Sequence, residues 1–186
     1  MRKSRLRIAL LALPLVAAAV AVPSIVGLAS AGDDHSETAV AASATARFHD
    51  LDAAKAAGWN ALVTDVNGIT CIADPSVPSA GGMGVHYANL SLLGDGGAID
   101  PTRPEALVYA PNADGQPKLA ALEYILFASE WPGGLNDPPT LFGHQFFYTG
   151  YPNRYGLPAF WALHVWIWHP NPAGTFQPWN PSVHCT

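Results

Sequence analysis

The segment LAALEYILFA (residues 119–128) is an apolar run of strand-like composition that contains one ionisable side chain, Glu123. Successive side chains of a strand point to opposite faces, and here neither face is polar. Glu123 therefore points inward whichever face meets the core. A carboxylate in such a place needs a cation, a metal ion or several hydrogen-bond donors, because otherwise its pKa rises and it stays protonated.

Two further apolar runs each contain one histidine: His86 lies in GMGVHYANL (residues 82–90) and His164 lies in AFWALHVWIW (residues 159–168). Two imidazoles and one carboxylate on three strands can hold a divalent metal ion and leave coordination positions open. We therefore predict a metal site formed by His86, Glu123 and His164, with Zn, Cu or Fe as candidate ions. Two alternatives stay open, namely a metal-free small-molecule pocket and a purely structural network in an envelope protein.

Aromatic side chains concentrate in the last third of the chain, which favours an aromatic-lined pocket for a small molecule. The predicted lining residues are Tyr87, His144, Arg154 and Trp166. The loop of residues 151–155 is predicted to form the lip, where Arg154 could orient an anionic group. His144 is also a candidate fourth ligand, and Gly84 is expected to leave space beside the His86 ring.

Motifs of common enzyme classes do not occur in the sequence. There is no G-x-S-x-G, H-E-x-x-H, P-loop or Rossmann glycine pattern. Catalytic residues and any enzyme activity therefore stay unassigned.

The N-terminal residues follow the pattern of a secretory signal peptide. Four basic residues lie within residues 2–7, an almost continuous apolar stretch covers residues 8–22, and small residues at 28–31 suit cleavage after Ala31. A retained transmembrane anchor is the alternative, and the small residues at the cleavage position disfavour it. We predict a signal peptide at residues 1–31, a disordered tether at 32–44 and a single globular domain at 45–186.

Removal of the signal peptide leaves five basic against fourteen acidic residues, which is a formal net charge of −9. Such a chain has no electrostatic footprint for nucleic acid or anionic lipid. We expect a secreted or cell-envelope protein, not stably inserted in a membrane, whose partner is a small molecule. Cys71 and Cys185 are the two cysteines, and an even pair in an exported protein predicts a disulfide.

The remaining pattern predicts an α+β fold. A short amphipathic helix begins at Thr45 and ends at Gly58, and Gly and Pro then separate short aromatic and β-branched segments. The predicted strands are Met83–Ala88, Ala106–Ala110, Lys118–Phe127, Phe142–Tyr148 and Phe160–Trp168. A turn at residues 112–115 makes a hairpin of the second and third strands. The prediction is one N-terminal helix packed on a curved antiparallel β-sheet or barrel-like roll.

Several motifs resemble those of an uncharacterised family of secreted bacterial proteins, a domain of unknown function. They are GMGVHYAN (residues 82–89), DPTRPEALVY (100–109), LEY (122–124), HVWIW (164–168) and NPAGTFQPWNPSVHC (171–185). The resemblance covers most of the chain after Thr45. It implies secretion and no particular activity.

Overall fold

The computed structural model describes residues 31–74, 76–112 and 116–185. The helices are α1 (Ala31–Thr45), α2 (Leu51–Ala56) and α3 (Leu90–Leu93), with 3₁₀ turns at Ala46–His49 and Pro78–Ala80. The strands are β1 (Ala61–Leu62), β2 (Cys71–Ala73), β3 (Gly82–Ala88), β4 (Ala106–Ala110), β5 (Lys118–Phe127), β6 (Thr140–Leu141), β7 (His144–Gln145), β8 (Phe147–Thr149) and β9 (Phe160–Val165).

The N-terminal helical region differs from the prediction in one respect. Residues 32–44, predicted as a disordered tether, lie in α1, which is rich in alanine, the strongest helix former. Ala41 of this helix is fully buried in the main core, and Thr45 donates a hydrogen bond to the Ala41 carbonyl. The predicted signal peptide lies outside the described residues, apart from Ala31.

The amphipathic helix predicted after Thr45 is present in two parts, a 3₁₀ turn and α2. They are separated by Asp50, whose extended backbone leaves its carboxylate free to accept hydrogen bonds from the Asp52 and Ala53 backbone N–H groups. This is an N-cap, and it starts α2. Phe48 and Ala54 bury the predicted apolar face against the sheet.

Within the described residues, seven strands form one antiparallel sheet in the order β1-β3-β4-β5-β9-β8, with β2 also pairing with β3. The α+β prediction is confirmed, but the barrel-like alternative is wrong, because β1 and β8 end the sheet without pairing with each other. The predicted strand at residues 142–148 is also wrong as a continuous element. Phe146 turns into the core between β7 and β8 and donates its N–H to the Pro139 carbonyl.

The two faces of the sheet have different roles. Directly paired residues of neighbouring strands share a face, so the register assigns each side chain to one of them. One face packs against the N-terminal helices and α3 and forms the main core. Its members include Leu107, Leu122, Tyr124, Leu163, Val165, Phe48, Trp59 and Leu92. The opposite face carries His86, Glu123 and His164.

The disulfide between Cys71 and Cys185 is present, with the two Cα atoms 5.4 Å apart. Asn180 exchanges backbone hydrogen bonds with Gly82, so the C-terminal segment is held along β3. The antiparallel pairing of β4 with β5 confirms the predicted hairpin, although residues 113–115 of its turn lie outside the described residues. No helix in the described part of the chain is both long and apolar enough to cross a membrane.

Candidate metal centre

Strand register brings the three predicted ligands together. Glu123 on β5 lies directly opposite His164 on β9. His86 reaches them from β3, across the intervening strand β4. The β4 residue opposite Glu123 is Ala106, and the one opposite His86 is Val108. His86 and Glu123 therefore lie diagonally across β4 on the same face of the sheet.

The polar tips of the three side chains are within contact distance of one another. His86 Nε2 is 3.1 Å from His164 Nε2 and 3.3 Å from Glu123 Oε2, and His164 Nδ1 is 3.4 Å from Glu123 Oε1. One ligand atom from each residue lies within 4.8 Å of the other two. Ligands placed tetrahedrally at 2.0–2.2 Å from one ion are roughly 3.3–3.6 Å apart. The predicted convergence of the three residues is confirmed.

Burial determines the protonation of this cluster in the absence of an ion. His86, Glu123 and His164 are 4%, 6% and 2% exposed. Desolvation lowers the pKa of His86 to about 4 and that of His164 well below its usual value, and it raises the pKa of Glu123 to about 8. At neutral pH the metal-free cluster is therefore uncharged, with two neutral imidazoles and a protonated carboxyl group.

Sequence reasoning missed a second buried carboxyl group, that of Glu105. Its Oε2 accepts a hydrogen bond of 2.8 Å from the Ile125 backbone N–H. Glu105 immediately precedes β4, and Ile125 lies on the part of β5 that extends beyond its pairing with β4. Desolvation raises the pKa of Glu105 to about 8, and its charge also contributes to the raised pKa of Glu123. The available signal was its position immediately before the apolar run of β4. Glu105 therefore satisfies a β5 backbone N–H that lies beyond the pairing with β4.

A cavity of about 390 Å³ lies over the same face of the sheet, and the three cluster residues form part of its wall. Ile125 and Ala162, which flank Glu123 and His164 at strand period, also line it. Other strands and α3 contribute Ala61, Leu62, Ile72, Met83, Ala88, Leu90, Leu93, Phe147, Thr149 and Phe160. Loops and the C-terminal segment contribute Val63, Thr64, Tyr155, Leu157, Pro178 and Trp179. Tyr155 belongs to the loop predicted as the lip.

The four residues predicted to line the pocket lie elsewhere. Tyr87 follows His86 on β3 and so faces the opposite side, where its ring contacts Tyr109 edge-on. His144 is exposed and stacks on Phe176, with ring centroids 3.7 Å apart. None of the four appears among the residues that line the cavity.

The other two of these residues support the site from outside. The Arg154 guanidinium donates to Asp65 Oδ2 and to the Ala73 carbonyl, so it joins its own loop to the loop of Asp65 and to the end of β2. Trp166 is buried behind His164, with ring centroids 6.0 Å apart, and donates its indole N–H to the Gln177 carbonyl.

The role expected for Gly84 was also wrong. Its φ is +89°, a conformation that strongly favours glycine. A Cβ atom there would lie 2.8 Å from the Tyr109 carbonyl oxygen. Gly84 therefore permits close approach of β4 and does not open space beside His86.

The fold and the cluster define an α+β protein with a buried two-histidine, one-carboxylate group. Comparisons with protein-family models, curated proteins and solved structures found no match to this chain.

Proposed function

We propose that this protein is an exported binder of one divalent metal ion, held by His86, Glu123 and His164. The observation that carries the proposal is the convergence of three ligand atoms, from three different strands, within 4.8 Å of one another. A structural hydrogen bond needs only two such groups. Three groups that can all ligate a metal, all buried on one face of the sheet, are better explained by a shared metal ion than by a structural hydrogen bond.

The chemistry of the cluster suits this role. Burial keeps both imidazoles neutral, so their nitrogen lone pairs are free for coordination. An ion would supply the positive charge that a buried carboxylate otherwise lacks. Zinc and non-haem iron sites with two histidines and one carboxylate keep positions open for water or substrate. Here the open positions would face the cavity.

Export is supported by two features. The N-terminal sequence has the charge and apolar pattern of a signal peptide. The Cys71–Cys185 disulfide is of the kind that forms and persists in oxidising compartments.

The test is metal stoichiometry on protein recovered from an extracytoplasmic compartment and stripped with a chelator. Titration with Zn²⁺, Fe²⁺ and Cu²⁺, followed by desalting and elemental analysis, should give about one ion per chain for at least one metal. His86→Ala, Glu123→Gln and His164→Ala should each lose most of this binding.

Two exposed histidines outside the cluster provide matched controls. His144→Ala and His184→Ala should retain the stoichiometry of the wild type, because neither belongs to the cluster. Circular dichroism of each variant separates ligand loss from unfolding. Wild-type affinity in all three cluster variants, or no binding of any tested ion, would show that the cluster is a metal-free hydrogen-bonded network.

A further inference from the structure

We infer that the cavity binds an uncharged, mainly apolar small molecule. One oxygen atom of this ligand points at the His86–Glu123–His164 cluster and coordinates the metal ion there. The inference rests on the proposed function only for the partner of that oxygen, which is the metal ion. The cavity walls, which do not depend on the ion, select the apolar part of the ligand.

The walls of the cavity favour an uncharged ligand. Among the described residues that line it there is no lysine, arginine or aspartate. Most lining side chains are aliphatic or aromatic, including Ile72, Met83 and Phe160. A charged group placed among them would lose its hydration without gaining a partner, unless it reached the metal.

The entrance to the cavity is apolar as well. Leu62, Leu90 and Phe147 line the cavity and are also 47%, 66% and 45% exposed, so they form its rim. Large exposed apolar side chains gathered around one opening are typical of ligand-binding sites. An apolar molecule can therefore enter without crossing a charged boundary.

The size of the cavity limits the ligand. Its volume of about 390 Å³ lies near the lower end of small-molecule sites. At roughly 30 Å³ per water molecule, this corresponds to a ligand on the order of 10–20 non-hydrogen atoms. Such a volume suits a substituted single ring or a short chain and excludes a peptide or a polysaccharide.

Few polar groups face this space apart from the cluster. Tyr155 lines the cavity, and among the described residues the hydrogen-bond partner of its hydroxyl is the weak acceptor Met83 Sδ, at 3.5 Å. Thr64 and Thr149 add hydroxyl groups. The ligand therefore gains orientation from its end at the cluster and affinity from its apolar body.

The test uses 4-butylphenol as the probe, with isothermal titration calorimetry on metal-free and Zn²⁺-loaded protein. On metal-free protein it should bind about tenfold or more tightly than 4-butylbenzenesulfonate, which has the same body and a fixed charge. On Zn²⁺-loaded protein it should bind at least about threefold more tightly than butylbenzene, which lacks the oxygen. Equal affinities in either comparison would overturn the corresponding part of the inference.

Variants of the cavity wall provide the second arm. Ala162→Phe fills the cavity and should weaken 4-butylphenol binding about tenfold while Zn²⁺ stoichiometry is retained. The exposed helical control Ala56→Phe should bind as the wild type does. If Ala162→Phe does not fold, Leu90→Gln and Phe147→Gln at the exposed rim take its place. Each of these variants should lower the affinity for 4-butylphenol.

The two proposals can fail separately. Binding of 4-butylphenol to a protein that takes up no metal would reject the proposed function and keep the apolar ligand. Zn²⁺ binding without any phenol binding would reject the ligand class and keep the metal site. Wild-type affinity for the phenol in every wall and rim variant would show that the probe binds elsewhere and would overturn the inference.

Discussion

Replacing Glu123 by glutamine is expected to stabilise the metal-free protein while it removes metal binding. Burial raises the pKa of Glu123 to about 8, from 4.5 in the unfolded chain. Between these two values the unfolded state is ionised and the folded state is protonated, so unfolding releases a proton and becomes easier as pH rises. Below about pH 4.5 and above about pH 8 this group adds no further pH dependence.

The size of the effect follows from the two pKa values. Each pH unit between them costs the folded wild type about 1.4 kcal/mol, so the cost is about 3 kcal/mol at pH 7 and about 1 kcal/mol at pH 5. Glutamine cannot ionise and keeps one acceptor and one donor for the two histidines. The variant should therefore unfold at higher urea than the metal-free wild type at pH 7, and the difference should shrink by pH 5.

Glu105→Gln is the matched control for this experiment. Glu105 is equally buried, its pKa is also raised to about 8, and glutamine can still accept the hydrogen bond from the Ile125 N–H. This variant should gain stability at pH 7 as well, but it should keep the metal stoichiometry of the wild type. The exposed control Glu37→Gln should change neither quantity.

Two results would refute this reasoning. If Glu123→Gln and the metal-free wild type show the same urea midpoint at pH 7, Glu123 is ionised in the folded protein and its partner is a cation other than the metal. If Glu123→Gln keeps wild-type metal affinity, the carboxylate is not a ligand.

Three further predictions concern the metal, the disulfide and the sheet. Metal binding should release about one proton at pH 6–7, because Glu123 must ionise to bind the ion. Metal affinity should therefore rise about tenfold per pH unit up to about pH 8 and then level off. Calorimetry in buffers of different ionisation enthalpy measures the number of protons released. Cys185→Ser should lower the free energy of unfolding by up to about 4–5 kcal/mol, since the bridge spans 114 residues. Thiol labelling of the unreduced, denatured wild type should give no signal, and two reactive thiols per chain would contradict the bridge. Gly84→Ala should lower the free energy of unfolding, measured in urea, more than Gly68→Ala does. Both positions have positive φ, which costs roughly 1–2 kcal/mol for a non-glycine residue, but only the alanine at position 84 also clashes with Tyr109. Equal losses of unfolding free energy in the two variants would mean that β4 moves to accommodate the new methyl group at no energetic cost.

Elements that bury a regular pattern were predictable from the sequence. The bounds of β4 and β5 are those predicted, because both are apolar runs in which nearly every side chain is buried. The convergence of His86, Glu123 and His164 was predictable for the same reason, since each is the one ionisable residue in such a run. Strand period places Ala121, Ile125, Ala162 and Trp166 on the same side as the cluster, and of these four Ile125 and Ala162 line the cavity.

The part of the cavity wall that comes from loops and the C-terminal segment depends on tertiary contacts that leave no local pattern. Thr64, Tyr155 and Trp179 are distant in sequence and meet only because loops and the C-terminal segment fold over one face of the sheet. Trp166 lies one residue beyond β9, whose ladder ends where the Trp166 N–H bonds to the Thr175 carbonyl. Residue type alone could not separate lining aromatics from those that pack behind the site.

The disulfide has a consequence for a protein exposed to proteases. Cys71 and Cys185 close a covalent ring, and all three cluster residues lie inside it. The segment 128–139, between β5 and β6, contains the exposed residue Leu135 and is an expected site of proteolytic cleavage. A single cut there would separate Glu123 from His164 along the chain, yet both pieces would stay joined through the bridge and paired in the sheet. The nicked molecule would run as one species until reduced, and its cluster would keep all three side chains.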